Sequence, residues 1–196
     1  TSGNVTVSAD DDSSGAGNGG ALTMADGAVI NAGSRQISLS ADEVIRIGQL
    51  GTTNATGTAV SVISDNGAIE DAGDIGGADV SAFGTATFIA NNPAVGRIGA
   101  GANSFLETTV GALVASAGGG GEALQFDNSG NVTATFTANS GDVTIQGSGS
   151  LATGGAWSAN SIAVDRTGTI SLAHNVRTDS AAGVSLKSSP GNITLA

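Results

Sequence analysis

A short phrase recurs along this chain: a small residue and Gly, usually a polar residue, then a β-branched apolar residue, a hydroxyl residue and another apolar residue. Clear copies stand at Ser2–Val7, Ser140–Ile145, Thr167–Leu172 and Pro190–Leu195. Each copy joins a turn signal to a strand in which apolar and polar residues alternate. Many such strands without helices between them predict an all-β chain that coils, each strand stacking on its counterpart in the next turn.

The predicted fold is therefore a parallel β-helix, or β-solenoid, with no substantial helix, forming one domain over residues 1–196. Its coils should be irregular, because the spacing between copies of the phrase varies. With 32 glycines and only 3% aromatic residues, the chain can build only a thin core. At roughly twenty residues per coil it would make about nine or ten coils, a rod on the order of 45 Å long.

Residues 104–117 leave a choice between helix and strand. Ser104 and Glu107 have the spacing of a helix capping box, and the apolar residues that follow fall near one helical face. Two threonines and a glycine in the interior of this segment are poor helix formers. A strand is therefore the favoured interpretation.

The charge of the chain argues against several classes of partner. The net charge is −11, which disfavours binding to nucleic acid and to anionic membranes. The basic residues are few and scattered: Arg35, Arg46, Arg97, Arg166, Arg177 and Lys187. The absence of cysteine fits either a reducing cytosol or a bacterial surface protein that avoids disulfides during export.

Three segments carry a resemblance to a known family. They are Ile63–Gly73, Gly77–Val80 and Gly96–Thr108, and they are followed by Gly-Asn-Val-Thr-type strands from Gly130 onward. In this respect the chain resembles the giant bacterial surface proteins of the filamentous haemagglutinin type, although Ser104-Phe105 stands where that family usually has Pro. The resemblance implies a right-handed parallel β-helix, exported across the outer membrane of a Gram-negative bacterium, that acts as an adhesin stalk or surface fibre. It specifies no catalytic residue.

The two ends of the sequence carry the same phrase, and the chain begins in the middle of a repeat. Joining Ala196 to Thr1 of another copy would continue the pattern without a break. We therefore expect an excised piece of a longer tandem array, or a subunit that stacks end to end into a filament.

An acidic loop partly imitates a calcium-binding loop. Asp10, Asp12 and Ser14 occupy positions one, three and five, with Gly15 at position six. Ala21 stands where the bidentate Glu belongs, so the motif fails at its strongest ligand. The favoured interpretation is a solvated acidic loop, and the sequence predicts no metal-binding residue and no cofactor.

The β-helix fold also hosts enzymes that act on polysaccharides, so carboxylates were considered as catalytic groups. Acidic residues cluster between positions 65 and 79: Asp65, Glu70, Asp71, Asp74 and Asp79. They alternate with Gly and Ala in predicted turns, without the aromatic and basic residues that surround a bound sugar. His174 is the only histidine, so no metal cluster of several histidines can form. We expect no catalytic residue, a surface position for His174, and a packed Trp157.

Threonines on alternate positions raise the possibility of an ice-binding face. Thr133, Thr135 and Thr137 form one such phrase, and Thr85 and Thr87 form another, but no fixed period extends them into a ladder. The hydroxyl residues at the shared slot of the phrase are instead expected to lie on one face of the solenoid. They are Thr6, Thr133, Thr144, Ser171, Ser185 and Thr194.

These observations favour a structural protein. The sequence predicts a non-enzymatic, extracellular solenoid segment that provides length, stiffness and self-association. The alternative is an adhesive module whose loops bind a glycan or protein on another cell. The Gly-rich segments 10–20 and 118–122, interpreted as loops, are too featureless to favour a binding pocket.

Overall fold

A computed structural model describes residues 3–10, 19–100 and 105–196, and within these residues every regular element is a β-strand. The strands pair in parallel and stack as a β-solenoid of about seven turns. The predicted all-β parallel solenoid is thus confirmed. In the part of the chain that is described, no helix is long and apolar enough to cross a membrane.

The expectation of nine or ten coils is wrong, because many coils are longer than twenty residues. Ser8 and Ser40 face each other on successive coils although they lie 32 positions apart. Towards the other end the corresponding separation falls to 19 positions, as between Asp142 and Ser161. Seven turns at a 4.8 Å rise give a rod of about 34 Å.

Each coil contributes strands to three faces, which we name A, B and C. Face A comprises β1 (Val5–Ala9), β4 (Ile37–Ala41), β7 (Thr58–Ser64), residues 86–90 of β9 (Val80–Ala90), 113–117 of β11 (Leu106–Asn128), 134–138 of β12 (Val132–Gly147), β14 (Trp157–Ala159) and β17 (Val176–Thr178). Face B comprises β2 (Leu22–Thr23), β5 (Ile45–Ile47), β8 (Ile69–Asp71), β10 (Ile98–Ala100), the ends of β11 and β12, β15 (Ile162–Arg166) and β18 (Val184–Ser188). Face C comprises β3 (Val29–Asn31), β6 (Gln49–Thr52), the starts of β9, β11 and β12, β13 (Leu151–Thr153), β16 (Ile170–Leu172) and β19 (Ile193–Leu195).

Alternation along the strands directs one set of side chains into the core, as the sequence pattern predicts. Ile37 and Leu39 of β4 are fully buried, and Val60 and Val62 of β7 stack directly beside them. Four aromatic rings pack in the core, with centroids 4.8–5.8 Å apart along the series Phe88, Phe126, Phe136 and Trp157. The thin core therefore depends on a few large side chains.

The segment over residues 104–117 is a strand from Leu106 onward. Strand β11 begins at Leu106. Ser104, the first residue of the predicted capping box, lies outside the described residues. Strand β11 pairs with β9 on one side and with β12 on the other. Two flanking strands satisfy the backbone of this segment, so fold context outweighs its local helical pattern.

Residues 118–122 are not a loop, contrary to the sequence interpretation, because β11 runs through them. A Cβ atom on Gly118 would lie 2.5 Å from the carbonyl oxygen of Asn91, and one on Gly119 would lie 2.9 Å from that of Gly96. These glycines allow two backbones to approach closely where the strand passes from face A to face B.

The hydroxyl residues of the repeated phrase do not share one face, so that prediction is wrong. Thr6 lies on face A, Thr144 on face B and Thr133 on face C. Two copies of the phrase can stand on different faces of one coil, as those with Thr133 and Thr144 do. The phrase therefore fixes which side chains of a strand point inward but not the face to which the strand belongs. Ser171 and Thr194 do stack on face C, and Ser185 lies on face B.

Threonine ladders are interrupted, in agreement with the sequence. Thr87 pairs with Val114, which in turn pairs with Thr135. The coil on the other side of Thr87 carries Ser61 at this position. The strip is therefore a mixed surface of hydroxyl and apolar side chains.

Candidate functional site

A cluster of three carboxyl groups lies at the corner where the chain passes from face B to face C. Asp71 ends β8, Asp79 immediately precedes β9, and Glu107 is the second residue of β11 on the next coil. Because Val80 pairs with Thr108, Asp79 and Glu107 are neighbours across the coil boundary. One carboxylate oxygen from each of the three side chains lies within 4.8 Å of the other two.

The loop between β8 and β9 is shaped to bring Asp71 and Asp79 together. Asp71 Oδ1 accepts a 2.7 Å hydrogen bond from the backbone N–H of Gly73, which is an Asx-type turn. Gly76 and Gly77 follow with φ angles of 99° and 98°, a region that favours glycine. The N–H of Ile75 donates to Asp26 Oδ1 at 2.9 Å, which fastens the loop to an earlier coil.

Two of the three side chains are buried, the third is half-buried, and part of the cluster lacks hydrogen-bond partners. Asp79 is 1% exposed and Asp71 is 6% exposed. The N–H of Glu107 donates to Asp79 Oδ2 at 2.8 Å. In contrast, Asp71 Oδ2 and Glu107 Oε2 are buried and accept no hydrogen bond. Burying a carboxylate oxygen without a hydrogen-bond partner costs free energy of folding, and a bound proton or cation would reduce that cost.

The surroundings of the cluster disfavour ionisation of all three carboxyl groups at once. Burial raises the pKa of Asp79 to about 9; the Glu107 N–H opposes this shift, and the Asp71 carboxylate reinforces it. Burial likewise raises the pKa of Glu107, and the negative charge of Asp71 adds to that effect. Without a cation, at least one of these acids therefore holds a proton near neutral pH.

A cleft of about 230 Å³ adjoins the cluster on the solvent side. It is lined by Asp74, Glu107, Asp127 and Ser129, among others. Glu107 is the only member of the cluster that lines this cleft. Asp71 in turn lines a second cleft, together with Arg46 and Glu70, so water or a small ion can approach the cluster beside Glu107 or beside Asp71.

Of the five acidic residues that the sequence grouped together, the structure joins only two. Asp65 accepts a 2.9 Å hydrogen bond from Asn91 on face A. Glu70 pairs with Arg46 at 2.8 Å on the outer side of face B, and Asp74 lies in the adjoining cleft. Glu107 was not proposed as a site residue from the sequence, because it comes 28 positions after Asp79 and only the strand register brings them together.

The acidic loop that partly imitates a calcium-binding loop in the sequence lies mostly outside the described residues. Asp10 is described and has a φ of 48°, whereas Asp12, Ser14 and Gly15 are not described. Ala21, at the position of the missing ligand, is exposed.

Trp157 and His174 lie where the sequence placed them. Trp157 is 1% exposed, and its Nε1–H donates to the carbonyl oxygen of Ala134 at 2.8 Å. His174 is exposed just after β16, with Nδ1 2.9 Å from the carbonyl oxygen of Thr153.

A buried arginine occupies the same corner of the solenoid further along the rod. Arg166 is 1% exposed and donates to the carbonyl oxygens of Gln146 at 2.7 Å and Gly130 at 2.6 Å. It also donates to those of Asn128 and Ser148. Burial lowers the pKa of this guanidinium, and the negative charge of Asp127 opposes that shift. Arg166 thereby connects the turns of successive coils. The sequence did not indicate this role, because Arg166 is one of six basic residues scattered along the chain.

One aromatic side chain stands out on the surface. Phe83 of β9 is 73% exposed and borders a shallow cleft of about 450 Å³. Thr109, Gly111 and Asn131 also line this cleft. An exposed ring beside hydroxyl and amide groups can contact an apolar sugar face or a peptide.

Comparisons with models of protein families, with curated proteins and with solved structures find no match to this chain.

Proposed function

We propose that this chain is a structural β-solenoid segment of an extracellular bacterial surface fibre or adhesin stalk, which provides length, stiffness and self-association. The observation that carries this proposal is the uncovered core at the last coil. Leu195 is 71% exposed, whereas its in-register neighbour Leu172 is 8% exposed. Ile193 is 46% exposed beside a fully buried Ile170. A further coil would bury these side chains.

The first coil has the same property. Val7 is 37% exposed, although Leu39, its neighbour in the register, is fully buried. Strand edges of this kind are templates for pairing with another strand. The strand edges of a second copy of the chain would satisfy them, which supports a role in self-association.

The proposed role needs no catalysis. Asp71 and Asp79 are 6% and 1% exposed, and the single histidine of the sequence interacts with Thr153 at the end of a strand. A structural role calls on neither feature for chemistry. An extracellular location and a bacterial source rest on the resemblance in the sequence and on the absence of cysteine.

The proposal is tested by measuring whether the purified chain associates end to end. Light scattering during size-exclusion chromatography and negative-stain electron microscopy, over a range of protein concentrations, should reveal rods longer than one chain. Leu195→Lys, which places a charge on the uncovered core, should abolish the longer rods. Val114→Lys, which adds the same charge on face A, should leave them unchanged.

Short rods of about seven turns at every concentration, for both the natural chain and the Leu195→Lys variant, would contradict self-association. X-ray diffraction from any fibres provides a further check, since coils stacked along the axis give a reflection near 4.8 Å.

A second candidate function is adhesion through the Phe83 cleft. The observation that favours it is the exposed ring of Phe83 next to Thr109 and Asn131. A glycan or peptide array probed with the full chain should then give hits that are lost in Phe83→Ala. Val95→Ala, which trims another exposed apolar side chain, is the matched control. Hits that persist in Phe83→Ala would exclude this cleft.

A further inference from the structure

The cluster of Asp71, Asp79 and Glu107 consists of three acidic side chains and contains no basic side chain. Asp71 is more than nine-tenths buried, and its Oδ2 has no hydrogen-bond partner within a cluster whose oxygens approach within 4.8 Å. Glu107 Oε2 is also buried and unpartnered. Asp71 Oδ1 and Asp79 Oδ2 are already engaged by backbone N–H groups, which orients both side chains.

The charged groups around the cluster do not neutralise it. Asp74 and Asp127 line the adjoining cleft and add negative potential. Arg46 is paired with Glu70 on the outer side of face B. Arg166 donates to backbone carbonyl groups. Among the described side chains, the corner is therefore a concentration of negative charge.

We propose that Asp71, Asp79 and Glu107 bind a calcium ion. All the available ligand atoms are carboxylate oxygens, which are the ligands that hard divalent cations prefer. Bonds of 2.3–2.6 Å to calcium keep any two of its ligand oxygens within about 5.2 Å of each other. The three oxygens of this cluster lie within 4.8 Å of one another, so one ion can contact all three. Magnesium dehydrates reluctantly and usually keeps several waters, so three carboxylates of which two are buried suit calcium better.

The ion would join two coils. Asp71 and Asp79 belong to the β8–β9 connection, and Glu107 belongs to the next turn of the solenoid. The remaining coordination positions would be filled by water from the cleft that Glu107 lines. This inference is independent of the proposed fibre role, because a calcium ion would tie the coils together in a fibre and in a single chain alike.

The test is a titration of the metal-free full chain with calcium chloride, followed by calorimetry and by thermal unfolding. The natural chain should bind one ion at this site, and its melting temperature should rise in millimolar calcium. The affinity expected of an extracellular calcium module is about 10⁻⁴–10⁻³ M. Magnesium chloride at the same concentration should have a smaller effect.

Variants distinguish this site from other acidic groups. Asp79→Asn should weaken binding by on the order of tenfold or more, because it removes a charged ligand, and Glu107→Gln should act in the same direction. Asp165→Asn alters an exposed carboxylate that pairs with Lys187 and should leave binding unchanged. Asp12→Asn alters the other acidic loop and should also leave it unchanged. Circular dichroism verifies that each variant is folded.

An identical calcium response in Asp79→Asn, Glu107→Gln and the natural chain would overturn the proposal. So would loss of the response in Asp12→Asn alone, or a natural chain that calcium neither binds nor stabilises. In the last case the cluster is neutralised by protons.

Discussion

Arg166 shows how one side chain can join several coils. Its guanidinium donates to carbonyl oxygens that belong to two successive turns, those of Asn128 and Gly130 in one and of Gln146 and Ser148 in the next. Arginine suits this position because five donors in a rigid plane can serve several acceptors at once.

We predict that Arg166→Met destabilises the chain by about 2–4 kcal/mol, because buried carbonyl groups lose their donor. Arg166→Lys should be intermediate, since an ammonium group retains the charge but has fewer donors in a different geometry. Thermal unfolding followed by circular dichroism measures both. Arg177→Met removes an exposed ion pair with Asp179 and is the control, with an expected change of at most about 0.5 kcal/mol. Equal effects at the two arginines would contradict the clamp role of Arg166.

The raised pKa of Asp79 has a consequence for stability in the absence of metal. An aspartate is ordinarily half-ionised near pH 3.8, whereas burial raises the pKa of Asp79 to about 9. Between these values the folded chain holds a proton that the unfolded chain releases. The contribution of protonated Asp79 to the free energy of unfolding is therefore complete below about pH 4, and it is lost as the pH rises towards 9.

In chelator, the natural chain should therefore lose more stability than Asp79→Asn between pH 5 and pH 8. The expected difference is ~1–3 kcal/mol in favour of the variant at the higher pH, because Asn carries no charge to bury. Urea unfolding of both proteins at the two pH values measures it. Parallel pH profiles would contradict the inferred burial of an ionisable Asp79.

At the scale of elements, the aromatic series concentrates packing where β9, β11, β12 and β14 meet. Phe136 touches two other rings, with centroids 5.8 Å from Phe126 and 4.8 Å from Trp157. Since the core of each coil is thin, the loss of one large side chain cannot be repaired by neighbouring layers.

Phe136→Ala should therefore cost about 3–5 kcal/mol, whereas Phe83→Ala, at an exposed ring, should cost little. The fluorescence of Trp157, the only tryptophan, provides the measurement. Its emission should shift to longer wavelength in Phe136→Ala, since the cavity admits water, and should stay unchanged in Phe83→Ala. A comparable loss of stability in both variants would show that the ring series does not hold the core.

The sequence predicts the strands well because alternation is a local signal. It identifies the strands within Thr167–Leu172 and Pro190–Leu195, which are β16 and β19, and the packed Trp157. The repeated phrase does not say to which face a strand belongs. The sequence predicts a loop at Gly118 and Gly119 because glycine is favoured both in turns and where two backbones approach closely. Here the close approach is the reason for glycine. Glu107 and Arg166 were missed for a related reason, as their partners lie 18 to 38 positions away in sequence and only the register brings them together.

For the whole molecule, a solenoid is stabilised by interactions between neighbouring coils, so its stability should vary along the rod. The central coils contain the long strands β9, β11 and β12 and the ring series. Each terminal coil has a neighbour on one side within the described chain, and it exposes apolar side chains such as Val7 and Leu195.

We therefore predict graded protection in hydrogen exchange measured by mass spectrometry. Peptides from β9, β11 and β12 should exchange slowest, and peptides from β1 and from β17 to β19 fastest, because local opening needs least energy at a free end. If copies stack end to end, raising the protein concentration should slow exchange in the terminal coils and leave the centre unchanged, while Leu195→Lys should remove this concentration dependence. Uniform protection along the chain would show instead that the coils unfold as one cooperative unit.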